Sequence, residues 1–379
     1  MGLDLHELLK LAVQRHASDL HLKVGAPPVL RIDDTLVHLQ EQPRVNQADL
    51  DTIITLLASE RQRQQFAERR ELDLAYGVQG LGRFRANLFQ QRGTIGVAFR
   101  VIPFQAQTIE ELNLPPIIGK LAMEPRGMLL VTGTAGSGKS TTLAAMIEHI
   151  NANGSGHILT IEDPIEFLHR DKRCLINQRE VGVDTESFAE ALRSALRQDP
   201  DVILVGEMRD FDTVNTAILA AETGHLVMST LHTIDAAETV NRIISIFPPY
   251  QQKQIRLQLA SVLRGIISMR LVPQAEGKGR VPAVEVMVAT ATIRECVADS
   301  DKTRRIHEVI AAGGSEYGMQ TFDQSLMTLY QRGLVNYEEA LRWSSNPNDF
   351  ALKVRGIETA GEQPWVAERK GGLLGRQRL

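Results

Sequence analysis

Apolar residues recur on one helical face across residues 4–16, where Leu5, Leu8, Leu9, Ala12 and Val13 line up. Leu20, Leu22 and Val24 then alternate with polar residues, as a half-buried strand does, and Pro27-Pro28 ends that strand. Asp33-Asp34 predicts a turn into a short strand over residues 36–39. Helical spacing returns over residues 47–68. Three further runs, 72–76, 83–90 and 93–102, predict antiparallel strands joined by turns at 77–82 and 91–94. These elements make an α+β domain over residues 1–103. Thr108-Ile-Glu-Glu111 has the form of a capping box opening a short helix, and Pro115-Pro116 punctuates it. Residues 104–116 therefore read as a linker or hinge.

From residue 117 the pattern changes. Strand-like runs at 127–132, 157–161, 174–178, 202–206 and 226–230 alternate with helical stretches. Several are apolar almost throughout, as expected of a parallel sheet covered on both faces. Beyond residue 235 the pattern predicts helix, apart from a strand over 281–288. An α/β domain thus spans residues 117–355, and residues 356–379 have too little periodicity to predict order.

The strongest chemical signal lies inside this second domain. Gly133, Thr134, Ala135, Gly136, Ser137, Gly138, Lys139, Ser140 and Thr141 satisfy the phosphate-loop pattern G-x-x-x-x-G-K-S/T. An apolar strand precedes the loop and a helix follows it, the context the mechanism needs. Gly133, Gly136 and Gly138 let backbone N–H groups curl around a phosphate chain. The helix N-terminus adds about half a positive charge facing the same anion. Lys139 is placed to reach β- and γ-phosphates, Ser140 to ligate Mg²⁺, and Thr141 to make the next contact. The alternative is an ordinary glycine turn between strand and helix.

Three carboxylates, Glu162, Asp163 and Glu166, end the next strand, where doubly wound sheets bind ligands. A carboxylate there can orient and deprotonate a water. The plainer reading is a helix cap centred on Asp163. The run from Asp199 to Asp210 has the shape of a Walker B strand, with Glu207 where Asp is usual. Glu207 then holds Mg²⁺ through water or polarises the nucleophile; otherwise it is a solvated capping residue. His232 ends another apolar strand and is either a γ-phosphate sensor or structural. Arg83, Arg85 and Arg100 sit on alternating strands of the first domain. They are either a solvated basic face or arginine fingers, each worth about 10³–10⁵ in rate in other phosphate-loop enzymes.

Bulk properties narrow the reading. The net charge of −4 and the 5% aromatic content weigh against a nucleic-acid translocase on the same core. The two cysteines, Cys174 and Cys296, cannot build a four-cysteine zinc module and fit a reducing compartment. No apolar run reaches the roughly 18 residues of a membrane span, and the first residues lack signal-peptide character. A link to a membrane would then run through a partner.

Taken together and in order, these stretches resemble the secretion-ATPase superfamily, and within it the type IV pilus retraction ATPases of the PilT/PilU group. The resemblance runs over Ala17-Ser-Asp-Leu-His21, the Arg-Phe-Arg segment, residues 133–141, 161–167, 177–181 and 191–210, Glu222-Thr-Gly-His225, Thr230-Leu-His232-Thr, and Gly318-Met-Gln-Thr-Phe-Asp323. It implies a RecA-like motor domain preceded by a smaller PAS-like domain, assembled as a homo-hexamer. It implies ATP and Mg²⁺ as cofactors, with phosphate and metal on Lys139 and Ser140, Glu166 as general base and Glu207 as an atypical Walker B carboxylate. It further implies that His232 couples nucleotide state to domain movement, and that Arg85 and Arg100 are offered to an adjoining site.

The implied role is an ATP-hydrolysing motor for pilus disassembly and twitching motility. The implied location is the cytoplasm, at the inner membrane beneath the pilus. The partners would be a membrane platform protein and a paralogous retraction ATPase. Two segments depart from the pattern. The loop reads Gly-Thr-Ala-Gly rather than the usual Gly-Pro-Thr-Gly, and Ala291-Thr-Ile-Arg294 only partly matches the family's Ala-Ile-Arg. Residues 337–349 look more like the PilU branch, and Glu207-Met-Arg-Asp210 more like the PilT branch. The rival roles are a pilus-assembly or type II secretion ATPase, and a non-hydrolysing partner of a second motor.

Overall fold

Asp4 opens the first helix, Leu5–Gln14, by accepting hydrogen bonds from the backbone N–H groups of His6 and Glu7. The computed structural model describes residues 3–32, 35–102, 106–277 and 279–356. That first helix buries Leu5, Leu8, Leu9 and Ala12 against a six-stranded antiparallel sheet. Its strands are β1 (Asp19–Lys23), β2 (Val29–Ile32), β3 (Thr35–His38), β4 (Glu71–Val78), β5 (Gly82–Gln91) and β6 (Thr94–Ile102), in the order β3-β2-β1-β6-β5-β4. Along β5, Phe84, Ala86 and Leu88 are buried while Arg83, Arg85 and Asn87 alternate with them on the other face. The period-two pattern in the sequence is thus a one-sided sheet. The predicted turn at Asp33-Asp34, and residues 103–105 and 357–379, lie outside the described residues.

Two expectations here need correction. The helical stretch 47–68 is two helices, Gln47–Leu57 and Glu60–Arg69, each opened by a capping box. Ser59 with Gln62 offers a second helix start that the apolar spacing runs across. Residues 109–113 form turns rather than the expected short helix. Asn113 takes φ 53° and Pro115-Pro116 follows at once, so no helix can propagate; the next helix is Ile117–Ala122.

The remaining strands are β7 (Gly127–Thr132), β8 (His157–Glu162), β9 (Leu175–Glu180), β10 (Val202–Val205), β11 (Leu226–Leu231), β12 (Leu263–Pro273) and β13 (Arg280–Val288). By packing, the chain divides into two units. One takes residues up to Thr108 together with Ile147–Gly206, the other Ile109–Met146 together with the chain from Glu207 on. In the first unit β8 pairs in parallel with both β9 and β10. In the second, β7 pairs in parallel with β11 and β12, and β12 pairs antiparallel with β13. Every residue of β7 and β11 is buried, which explains their unbroken apolar sequence. The architecture is an N-terminal α+β domain followed by a RecA-like domain.

Strand β12 overturns the expectation of helix beyond residue 235. Helix Pro249–Val262 passes into it without a turn, at Leu263, whose ψ of 133° is already extended. No glycine or proline stands at that junction, so the sequence marks no boundary there. Leu130, fully buried in β7, lies between these neighbours. Leu130→Ala is expected to lower stability by about 2–5 kcal/mol in chemical denaturation, with the spread set by how far the site collapses.

Candidate nucleotide site and acidic loop

The loop between β7 and helix Lys139–Asn153 is bent by three glycines with positive φ: 139° at Gly133, 73° at Gly136 and 98° at Gly138. A Cβ at Gly133 would meet the Met269 carbonyl and Ser137 Oγ at 2.5 Å each, so no other residue fits there. Thr134, Ala135 and Gly136 form the exposed tip, Ser137 and Lys139 are buried, and Ser140 and Thr141 follow on the helix's first turn. Ser137 Oγ has no hydrogen-bond partner among the described residues. A buried hydroxyl left open in a glycine-bent loop at a helix N-terminus suits an incoming phosphate oxygen.

Lys139 is only 8% exposed. Its Nζ donates to the carbonyls of Gly133 at 2.9 Å and Thr134 at 3.0 Å, and lies 3.5 Å from His232 Nδ1. Burial lowers its pKa, and the charge of Glu207 works against that shift. Since the ammonium can only donate, Nδ1 of His232 accepts and the ring's proton sits on Nε2. That nitrogen is 3.2 Å from Glu207 Oε1, and Glu207 also takes a hydrogen bond from Arg209. The second unit therefore links Lys139, His232 and Glu207 in one chain. Glu207 is not a cap: the helix Phe211–Glu222 is capped by Asp210. His225 bonds the Ala220 carbonyl at 2.9 Å, securing the end of that helix.

Mg²⁺ asks little of a protein beyond one or two oxygen ligands next to substrate phosphates. Ser140, exposed at the helix start, and Glu207 fit that modest need. Among the described residues no group of three or more His, Cys, Asp or Glu is placed to hold a metal unaided. Cys174 and Cys296 are both buried free thiols.

In the first unit, the acidic loop follows β8 and no helix begins at Asp163, so the capping alternative fails. The two glutamates differ in setting. Glu162 accepts from Thr160 Oγ1 at 2.6 Å, Gln178 Nε2 at 3.1 Å and the Glu166 backbone N–H at 3.4 Å. Burial pushes its pKa up and the charge of Glu166 adds to this, against the pull of those hydrogen bonds. The Glu166 side chain belongs to an exposed residue. Arg85 pairs with Asp73 at 3.6 Å and Arg100 with Asp19 at 3.0 Å. Arg85 and Arg100 lie directly opposite in the β5–β6 ladder, so these acids offset their mutual repulsion.

Sequence reading missed the partner of Arg83. Arg83 Nη2 meets Glu180 Oε2 at 2.8 Å, and the same oxygen accepts the Ile165 backbone N–H at 3.2 Å. Glu180 is 4% exposed, so this clamp ties β5 to the loop that carries Glu166. The signal available was Glu180 itself, an acid held at the end of a strand one β-repeat from Gln178.

A glycine-bent anion cradle on a RecA-like sheet, with a lysine, a histidine and a glutamate in series beside it, defines a phosphate-loop nucleotide hydrolase. Comparison with known proteins agrees and narrows the class. The family model for type II/IV secretion system proteins matches residues 3–346. The chain is 45% identical over 348 residues to the type IV pilus retraction ATPase PilT of Pseudomonas aeruginosa, covering 92% of this chain and 100% of that protein. It is 40% identical to the type IV pilus ATPase PilU of the same organism, over 93% of this chain and 92% of that one. A crystal structure of the pilus retraction motor PilT with bound ADP superposes with a TM-score of 0.84 at 46% identity, covering 92% of this chain and 98% of that one. The chain belongs to the type II/IV secretion system protein family and is a type IV pilus ATPase of the PilT/PilU type.

Proposed function

We propose that this chain is the ATP-driven motor that retracts type IV pili, working in the cytoplasm as a homo-hexamer against a membrane platform protein. The supporting observation is full-length similarity to PilT together with the Lys139–His232–Glu207 chain beside the phosphate loop. Among the described residues no helix is long and apolar enough to cross a membrane, in keeping with a platform partner. The first domain, ending near residue 103, connects through residues 104–116 to the motor domain.

The chemistry follows from the residues. The loop N–H groups from Gly133 to Thr141, with Ser137 Oγ, receive the phosphate oxygens of ATP. Lys139 exchanges its two carbonyl partners for β- and γ-phosphate oxygens, a gain because a desolvated ammonium bonds an anion more strongly than a carbonyl. The Ser140 hydroxyl and the Glu207 carboxylate would hold Mg²⁺, which would supply positive charge against the phosphates. When Lys139 turns away, His232 Nδ1 loses its donor, so the imidazole and its loop respond to nucleotide state. Glu166 takes the proton of the attacking water, and Arg85 and Arg100 leave their aspartates to meet negative charge on an adjoining subunit.

Deleting the gene decides between the roles. The expected result is cells with excess surface pili and no twitching, restored by the wild-type chain but not by Lys139→Ala. Loss of surface pili would instead assign the chain to assembly. Normal twitching with only reduced retraction force would assign it to the accessory, PilU-type role.

A further inference from the structure

Strand β12 places Ser268 directly beside two other residues. Its register partner in β7 is Thr132, and its register partner in β13 is Glu285. The three side chains form a polar rung across β7, β12 and β13. Thr132 Oγ1 donates to Ser268 Oγ at 3.0 Å, and Ser268 Oγ donates to Glu285 Oε1 at 3.5 Å. The same Glu285 oxygen accepts the backbone N–H of Ala236 at 2.9 Å. Thr132 and Ser268 are 0% exposed and Glu285 2%.

The two ends of the rung meet the nucleotide machinery from opposite sides. Thr132 is the last residue of β7, and the next residue, Gly133, lends its carbonyl to Lys139. Ala236 is the first residue of helix Ala236–Ser245, which begins just after the loop carrying His232. Asp235 caps the Glu238 N–H of that helix, leaving the Ala236 N–H to Glu285. The loop is further pinned by the Thr233–Thr239 hydroxyl pair at 2.6 Å and by Ile234 N–H on Glu238 at 2.9 Å.

We propose that Glu285 is a positioning residue that, through Ser268, fixes the histidine loop relative to the phosphate loop and so sets the Lys139–His232 contact. This rests on the nucleotide reading above and adds to it a residue outside the phosphate loop.

A buried carboxylate is costly to keep unless it is used. Burial pushes the Glu285 pKa up to about 7, and Asp235 adds to that; Arg270 and the bonds from Ala236 and Ser268 oppose it. Asp235 and Arg270 are the charged groups that face it. Arg270 is itself committed, donating to the Trp343 carbonyl at 2.6 Å and lying 3.8 Å over the Phe322 ring. The rung therefore changes charge near neutrality, which gives the positioning role a signature that packing alone lacks.

The test is steady-state ATPase kinetics, ADP affinity and thermal unfolding at pH 6, 7 and 8, for the wild type and for Glu285→Gln, Ser268→Ala and Lys139→Ala. Ser268→Ala is expected to lower kcat about tenfold with KM and ADP affinity within about twofold, because it shifts alignment rather than binding. Glu285→Gln is expected to remove the change in kcat that the wild type shows between pH 6 and 8. If Glu285→Gln does not fold, Ser268→Ala decides alone. Wild-type kcat and pH response in both variants, with Lys139→Ala inactive, would overturn the proposal while leaving the nucleotide reading intact. A fall in kcat matched by equal losses of ADP affinity and melting temperature would also overturn it, since that is what a plain scaffold does. Undiminished turnover in Lys139→Ala would sink the nucleotide reading and this proposal with it.

Discussion

Lys139→Ala is expected to abolish ATP turnover, by at least about a hundredfold in kcat/KM, while leaving the protein folded. The lysine's partners explain both halves of that expectation. Among the described residues its Nζ is bonded by the carbonyls of Gly133 and Thr134 and by His232 Nδ1. Those acceptors are weak recompense for a buried ammonium, as the lowered pKa records. Removing the side chain therefore strips little from the fold, and a melting temperature within a few degrees of wild type is expected. The cost falls on phosphate binding, where a cation on the β- and γ-oxygens has no substitute. Lys139→Arg should fare little better. A planar guanidinium cannot occupy the space between two carbonyls and an imidazole that a compact ammonium fills. Radiometric or coupled assay of phosphate release, with ADP affinity measured in parallel, checks both variants. Turnover within about threefold of wild type would remove residues 133–141 from the site.

The phosphate loop was legible because its chemistry is local: nine consecutive residues, flanked by a strand and a helix, carry the whole signal. The alternation in β5 was legible for the same reason. What could not be read was anything decided by partners distant in sequence. Arg83 and Glu180 stand 97 residues apart, and nothing in either segment names the other. The family resemblance drew attention to Arg85 and Arg100, whereas the clamp on Glu180 belongs to their neighbour Arg83. Strand β12 was hidden because a helix runs into it with no glycine or proline at the junction to mark the change. With β12 unread, the rung from Thr132 to Glu285 was invisible too. Yet Glu285 carried a signal of its own. A carboxylate inside the apolar run Val284-Glu285-Val286-Met287 is seldom fully buried unless it has hydrogen-bonding work there.

The carboxylates of the acidic loop show how setting, more than residue type, divides labour. Glu162 and Glu166 are four residues apart, and sequence alone cannot rank them. Glu162 has donors on both oxygens, from Thr160 and Gln178 on one and from the Glu166 backbone on the other. Its role is to hold the loop's shape. Glu180 does the same from the far side, through Ile165, and is itself anchored by Arg83. The half-buried Glu162 and the buried Glu180 thus hold the backbone N–H groups of Glu166 and Ile165, while the Glu166 residue itself stays exposed.

Glu166→Gln is therefore expected to lower kcat by about 10²–10⁴ with ATP and ADP affinity nearly unchanged. The amide matches the carboxylate in size and can still orient a water, but it cannot accept the proton. Glu162→Gln provides the contrast. It replaces an acid whose raised pKa already marks its charge as costly in the fold. The sign follows from linkage: a carboxyl with a raised folded pKa contributes stability at low pH that is lost as pH rises through that value. Glu162→Gln should thus be as stable as wild type or more so at pH 8, and its kcat should fall less than that of Glu166→Gln. Arg83→Ala should mimic loop misplacement, lowering kcat about tenfold without touching the base. Single-turnover kinetics with bound ATP separates these outcomes from slow product release. A larger loss of the chemical step in Glu162→Gln than in Glu166→Gln would exchange their roles, making Glu162 the base.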